Sequence, residues 1–278
     1  MKHTSFVKII RTVTGTVRRI SRWLERCRIR AYAAQASFFM TISALPMLIL
    51  ILSLAGMILP RGGGEVRERI LGAIPAELNA LMETVLTEVE NKANIPLLSI
   101  SAVTLLWSAS RGIRGIGAGI RNVCGGQRPP RFVAYHLRYL FYTLLYIAAV
   151  LLSLLIWVFG DTIAARVAPG GPTRLLGLMN SAAFLILLVT VFLLTFRGMS
   201  GLQVTLLSQL PGALFAAFGW MTYSRFFEFY IEHYANYSYI YGSLTSIILV
   251  MLWLYACMEL LLVGAGLNVL LARRVRVV

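Results

Sequence analysis

The side chains able to move protons or hold metals are few in this chain. There are eleven Asp and Glu residues, three histidines and three cysteines, against 26 Lys and Arg. His3, His136 and His233 are far apart, no H-E-x-x-H occurs, and no carboxylate cluster is suited to two metals. Cys27, Cys124 and Cys257 are odd in number and form no C-x-x-C pair, so neither a disulfide framework nor a zinc site is expected. No G-x-S-x-G suggests an acyl hydrolase. The glycine-rich stretch from Ser110 to Asn122 follows no strand and leads to no G-K-[ST], which excludes a Rossmann turn or a phosphate loop. The expectation is a protein without catalytic residues, metal or cofactor.

The informative polar residues are those lodged in apolar runs. Glu259 lies mid-run between Met258 and Leu260, and Arg225 and Glu228 stand at i,i+3, where they can pair. Gln35, Ser37, Ser43, Asn180, Gln209 and Asn268 are further candidates for inward-facing positions. An ionisable group in lipid costs roughly 2.5–3.5 kcal/mol on insertion scales and usually faces a partner or a wet cavity. Two readings stand: a path for a transported compound, or interhelical hydrogen bonds worth under about 1 kcal/mol each. Pro46 and Pro211 each interrupt an apolar run and are expected to kink it. Arg111, Arg114 and Arg121 share one helical face, while Ile113, Ile116, Ile120 and Val123 form another. This predicts a second amphipathic helix leaving the membrane. Its guanidiniums either line a site for a phosphate or carboxylate headgroup or form a solvated basic face.

These residues need elements to position them, and the composition says which. Of 278 residues, 58% are hydrophobic and 13% charged, with mean hydropathy +0.76. Soluble domains carry about a quarter charged residues, and one or two cores could not hide this much apolar side chain. The chain therefore reads as an all-α polytopic membrane protein. Runs long enough to cross about 30 Å of hydrocarbon occupy approximately 31–59, 95–112, 135–159, 176–196, 204–230 and 242–271. The first thirty residues hold nine Lys and Arg and the 111–138 stretch six, whereas 61–94 has four against six glutamates. Basic flanks stay inside, so both termini are expected in the cytoplasm.

Residues 1–30 form a basic N-terminal segment. Phe6, Ile10, Val13, Val17, Ile20, Leu24 and Cys27 make one stripe, suited to an in-plane helix on anionic lipid or to plain positive-inside anchoring. Residues 31–272 form the six-helix domain, with an external helical loop at 60–94 whose stripe over 65–91 is a lid, a partner surface or packing on the bundle. Residues 273–278 are a basic tail. Aromatic residues crowd between Tyr223 and Tyr241, as in an interfacial belt.

Several runs together resemble one family. They are Ala34–Pro46 (AQASFFMTISALP), Trp107–Asn122 with its S-R-G-I, Leu210-Pro211-Gly212-Ala213, Tyr241-Gly242-Ser243-Leu244, Leu252-Trp253-Leu254-Tyr255 and Gly264-Ala265. In this order, over about residues 30–272, they are similar to the YihY/BrkB family. The resemblance implies a multi-pass protein of the bacterial cytoplasmic membrane with six spans. An old ribonuclease BN label attached to the family is regarded as mistaken, and no nuclease constellation supports it here. The family usually reads G-A-E-L-N in its last span, whereas this chain has Gly264-Ala265-Gly266-Leu267-Asn268. Glu259, seven residues earlier on nearly the same face, is expected to supply the missing carboxylate at another depth. The leading expectation is transport or translocation of an amphipathic or anionic compound, a lipid included, without ATP. A non-transporting envelope scaffold is the alternative. Partners would be membrane lipids through anionic headgroups and not nucleic acid, and a homo-oligomer is compatible with either reading.

Overall fold

The computed structural model describes residues 23, 25–58, 95–125, 132–167, 173–201, 205–234 and 243–275. Their regular structure is wholly helical: α1 Ile29–Ile58, α2 Ile95–Val123, α3 Phe132–Val167, α4 Thr173–Met199, α5 Leu206–Tyr234 and α6 Ser243–Val275. The external loop with its 65–91 stripe, most of the N-terminal stripe, the Tyr237–Tyr241 aromatics and the final residues 276–278 lie outside the described residues.

Among the described residues, four stretches are long and apolar enough to span a membrane: Ile29–Ile51, Val133–Ile156, Gly177–Met199 and Ile247–Ala272. In α2 and α5, residues such as Arg111, Arg114, Gln209 and Glu228 interrupt the apolar pattern. A helix shielded by its neighbours need not be apolar all round.

The helices pack in chain order as a closed ring, with α6 returning to α1 and α2 also reaching α4 and α6. Consecutive helices run antiparallel. In the α1–α2 seam, Gly112 faces Met40 and Gly119 faces Tyr32. In α3–α4, Arg138 reaches the Gly198 carbonyl and Tyr146 meets Thr195. In α5–α6, Gly212 meets Asn268 and Ser224 meets Trp253. One end of the bundle thus gathers the start of α1, the α2–α3 connection, the α4–α5 connection and the end of α6, as expected from the basic flanks.

The run expected at 95–112 and the amphipathic helix expected to leave the membrane after it form one helix, α2, through Val123. The reason is burial. Ile113, Ile116, Ile120 and Val123 are each at most 1% exposed, so the apolar stripe of the segment expected to leave belongs to the bundle core. The chain does bend ahead of α1. Residues 25 and 26 are helical, Arg28 takes a left-handed conformation at φ 48°, and α1 starts at Ile29. Pro46 and Pro211 lie inside α1 and α5, both of which continue past them.

Hydroxyls inside the bundle find partners locally. Ser37, Thr41, Ser43, Ser108, Thr143 and Thr195 each donate to a carbonyl three or four residues earlier. This satisfies a polar group within its own helix, and Thr195 also meets a hydroxyl on another helix, that of Tyr146.

Candidate functional site

Glu259 on α6 pairs with a cation of α1. Arg30, in the first turn of α1, donates from Nε to Glu259 Oε1 at 3.4 Å, and Tyr255 lies against the same carboxylate. Sequence reasoning put Glu259 in mid-span, and it lies at the middle of the apolar Ile247–Ala272 stretch of α6, beside the first turn of α1. The pair is open to the outside of the bundle: the Arg30 side chain is 76% exposed and that of Glu259 is 32% exposed. An ion pair this exposed is held weakly in water, by about 0–1 kcal/mol.

A second polar constellation is buried. Asn268 Oδ1 accepts from the Gly212 amide at 2.7 Å, and Asn268 Nδ2 donates to both the carbonyl and Oε1 of Gln209 at 3.1 Å. Asn268 is 3% exposed and Gln209 7%. Pro211, which has no amide hydrogen of its own, lies between Gln209 and Gly212, and the Asn268 carboxamide bonds residues on both sides of it. The helices touch here through their backbones. A Cβ on Gly264 would fall 2.6 Å from the Gly212 carbonyl oxygen, so only glycine permits this approach.

The three arginines predicted to share a headgroup face have separate roles. Arg121 donates to the Tyr139 hydroxyl and lies over the rings of Tyr135 and Tyr139, which ties α2 to α3. Gly117 makes room for that ring, since a Cβ there would stand 2.7 Å from Tyr139 Cε1. Arg114 folds back on its own helix, donating to the Ser110 carbonyl at 3.3 Å and the Ser110 hydroxyl at 3.1 Å. Arg111 is exposed. Its guanidinium carbon lies 4.6 Å from the centre of the Trp107 ring and 5.6 Å from that of Phe39.

The other sequence candidates are dispersed. Arg225 and Glu228 pair with each other at 3.3 Å on an exposed face of α5. Gln35, expected to point inward, is exposed on α1 because the inward positions of that turn belong to Ala33, Ala36 and Ser37. Asn180 is half-buried near the start of α4. Glu259, Asn268 and Arg225 therefore occupy three separate places. Sequence reasoning missed Arg30 as the partner of Glu259, Tyr139 as the partner of Arg121, and the joining of Gln209, Gly212 and Asn268. The sequence did carry a signal for the last, in the L-P-G-A run facing G-A-G-L-N.

A family model described as Virulence factor BrkB matches residues 20–277. The chain belongs to the BrkB family. Within it, the chain is 31% identical over 248 residues to the "Putative ribonuclease-like protein YfkH" of Bacillus subtilis (strain 168), covering 87% of this chain and 90% of that one. A "UPF0761 membrane protein" of Pseudoalteromonas translucida (strain TAC 125) is 31% identical over 77 residues, 28% of this chain and 26% of its own. Another from Chlorobium luteolum (strain DSM 273 / BCRC 81028 / 2530) is 33% identical over 93 residues, 34% of this chain and 21% of its own. No solved structure matches. The chain is thus a BrkB-family membrane protein with several apolar helices. The resemblance-derived expectation for Gly266 can now be placed: Gly266 is buried, whereas Glu259 is part-exposed beside α1. The two positions share a face of α6 but not surroundings.

Proposed function

We propose that this BrkB-family protein crosses the bacterial cytoplasmic membrane six times with both ends in the cytoplasm. There it moves an amphipathic anion, a lipid included, without ATP hydrolysis or enzymatic chemistry. The Arg30–Glu259 pair carries the reading. It is a cation and a carboxylate on adjoining helices, joined through one 3.4 Å contact and reachable from outside the bundle. An anionic headgroup arriving at the basic end can take over Arg30 and release Glu259, which offers a way to sense occupancy. Arg138, which donates to the Gly198 carbonyl at 3.2 Å, and the exposed Arg197 add positive charge where α3 meets the end of α4. Partners in this reading are anionic lipids of the cytoplasmic leaflet.

The test is mass spectrometry of lipids and metabolites that co-purify with the protein, followed by flux of any retained anion in reconstituted vesicles. Flux that exceeds empty vesicles and falls in Glu259→Gln supports the proposal. Retention without flux refutes it. A second reading, an envelope scaffold, draws support from the buried Gln209–Gly212–Asn268 constellation, which favours a rigid, dry α5–α6 seam. Absence of flux together with reproducible protein partners would favour it.

A further inference from the structure

We infer that the lipid-facing side of α2 binds the phosphate of a phospholipid, with Arg111 as the principal contact. The site is distinct from the Glu259 pair and stands whether or not the protein translocates anything. On α1, Phe39 and Arg30 are nine residues apart, which at about 100° per residue sets them on opposite sides of the helix.

Three observations carry the inference. First, Arg111 continues an outward stripe. Ile100, Val103 and Trp107 are 66%, 69% and 54% exposed, large apolar surfaces that face hydrocarbon in a membrane protein, and Arg111 comes one turn after Trp107. Secondly, its depth is wrong for a headgroup anchor. Arg121 lies at the basic end, and ten residues of helix raise Arg111 about 15 Å above it, near mid-membrane. A cation there is costly unless something compensates it. Among the described residues no carboxylate pairs with Arg111, and its recorded partners are the rings of Trp107 and Phe39. Rings that cover the face of a guanidinium leave its edge, with five N–H donors in a fixed fork, available to a planar pair of oxygens.

Thirdly, the way in is marked. Arg114 lies one turn below Arg111, and Arg121 two turns further, on the same outward side of α2. Arg121 lends one nitrogen to Tyr139 and Arg114 two to Ser110, so both keep donors free. A phosphodiester drawn up this ladder from the basic end meets a guanidinium at each stage. The bilayer itself supplies that anion at a lipid-facing surface, whereas free phosphate has no route to it through hydrocarbon.

The experiment is native mass spectrometry of the detergent-purified, full-length protein titrated with phosphatidylglycerol, with diacylglycerol as the phosphate-free probe. Wild type should retain phosphatidylglycerol and release diacylglycerol. Arg111→Gln should weaken phosphatidylglycerol binding about tenfold, as expected for loss of a charge-assisted hydrogen bond. Arg111→Lys, which keeps the charge but not the fork, should fall between the two, and provides the reading should the Gln variant fail to fold. Unchanged binding in both variants, equal retention of diacylglycerol, or displacement of the lipid by excess inorganic phosphate would each overturn the inference.

Discussion

Replacing Asn268 with Ala removes a side chain that bonds α5 on both sides of Pro211. Three hydrogen bonds are lost: one from the Gly212 amide and two to Gln209. Interhelical bonds of this kind average about 0.6 kcal/mol, which suggests roughly 2 kcal/mol for the three. The Gly212 amide loses its side-chain acceptor and the Gln209 Oε1 its donor, although Gln209 Nε2 keeps its 3.3 Å bond to the Ser208 hydroxyl, and an orphaned buried group costs about 1–3 kcal/mol. Bonding to nearby carbonyls will recover part of this, so a loss of about 2–4 kcal/mol is expected. In a chain of this size each kcal/mol corresponds to roughly 2–4 °C in Tm. Thermal unfolding in detergent, followed by tryptophan fluorescence, is the assay. Trp220 and Trp253 pack edge to face at 5.7 Å across the same pair of helices. A double-mutant cycle with Gln209→Ala should show coupling of about 1 kcal/mol or more. A transition unmoved by Asn268→Ala, or additive effects in the cycle, would refute the claim that this carboxamide holds the α5–α6 seam.

Three further outcomes follow from the geometry. Gly117→Ala places a methyl group against the Tyr139 ring and should destabilise the protein by about 1–3 kcal/mol in the same melt, and Tyr139→Leu should restore part of that loss. The Cys124 thiol, just past the end of α2, is pushed up to about 11 by burial and then by the neighbouring Cys27. A raised thiol pKa means that the reactive thiolate is scarce, about one molecule in a thousand at pH 8. Its alkylation by iodoacetamide, followed by peptide mass spectrometry, should therefore rise about tenfold per pH unit up to pH 10 rather than level off near 9. Finally, Glu259→Gln should cost no more than about 1 kcal/mol, roughly 2–4 °C in Tm, so that any loss of flux in that variant reports on function rather than folding.

The order of the helices was legible because each apolar run is long and bounded by basic or glycine-rich stretches. The expected 135–159 and 176–196 segments extend by only three to eight residues at either end in α3 and α4. The end of α2 was not legible. Glycine and arginine lower its hydropathy after residue 112, while the surfaces that bury Ile116 and Ile120 come from helices distant in sequence. For the same reason Asn268 and Pro211 stand out singly, yet their meeting across 56 to 59 residues is a tertiary fact. Arg30 reads as one more anchoring cation until α6 brings Glu259 alongside it. The identical spacing arithmetic that grouped Arg111, Arg114 and Arg121 on one face could not show that tyrosines and a serine engage two of them.

The central claim, movement of an amphipathic anion, is tested most directly in sealed vesicles holding the purified protein and a fluorescent phosphatidylglycerol. Quenching of the outer leaflet by dithionite leaves about half the signal protected when lipids stay in place. Continued loss of the protected half in vesicles with wild-type protein, slowed by Glu259→Gln, is the predicted result. Protection equal to that of protein-free vesicles, and persisting for each retained anion tried in its place, would contradict it.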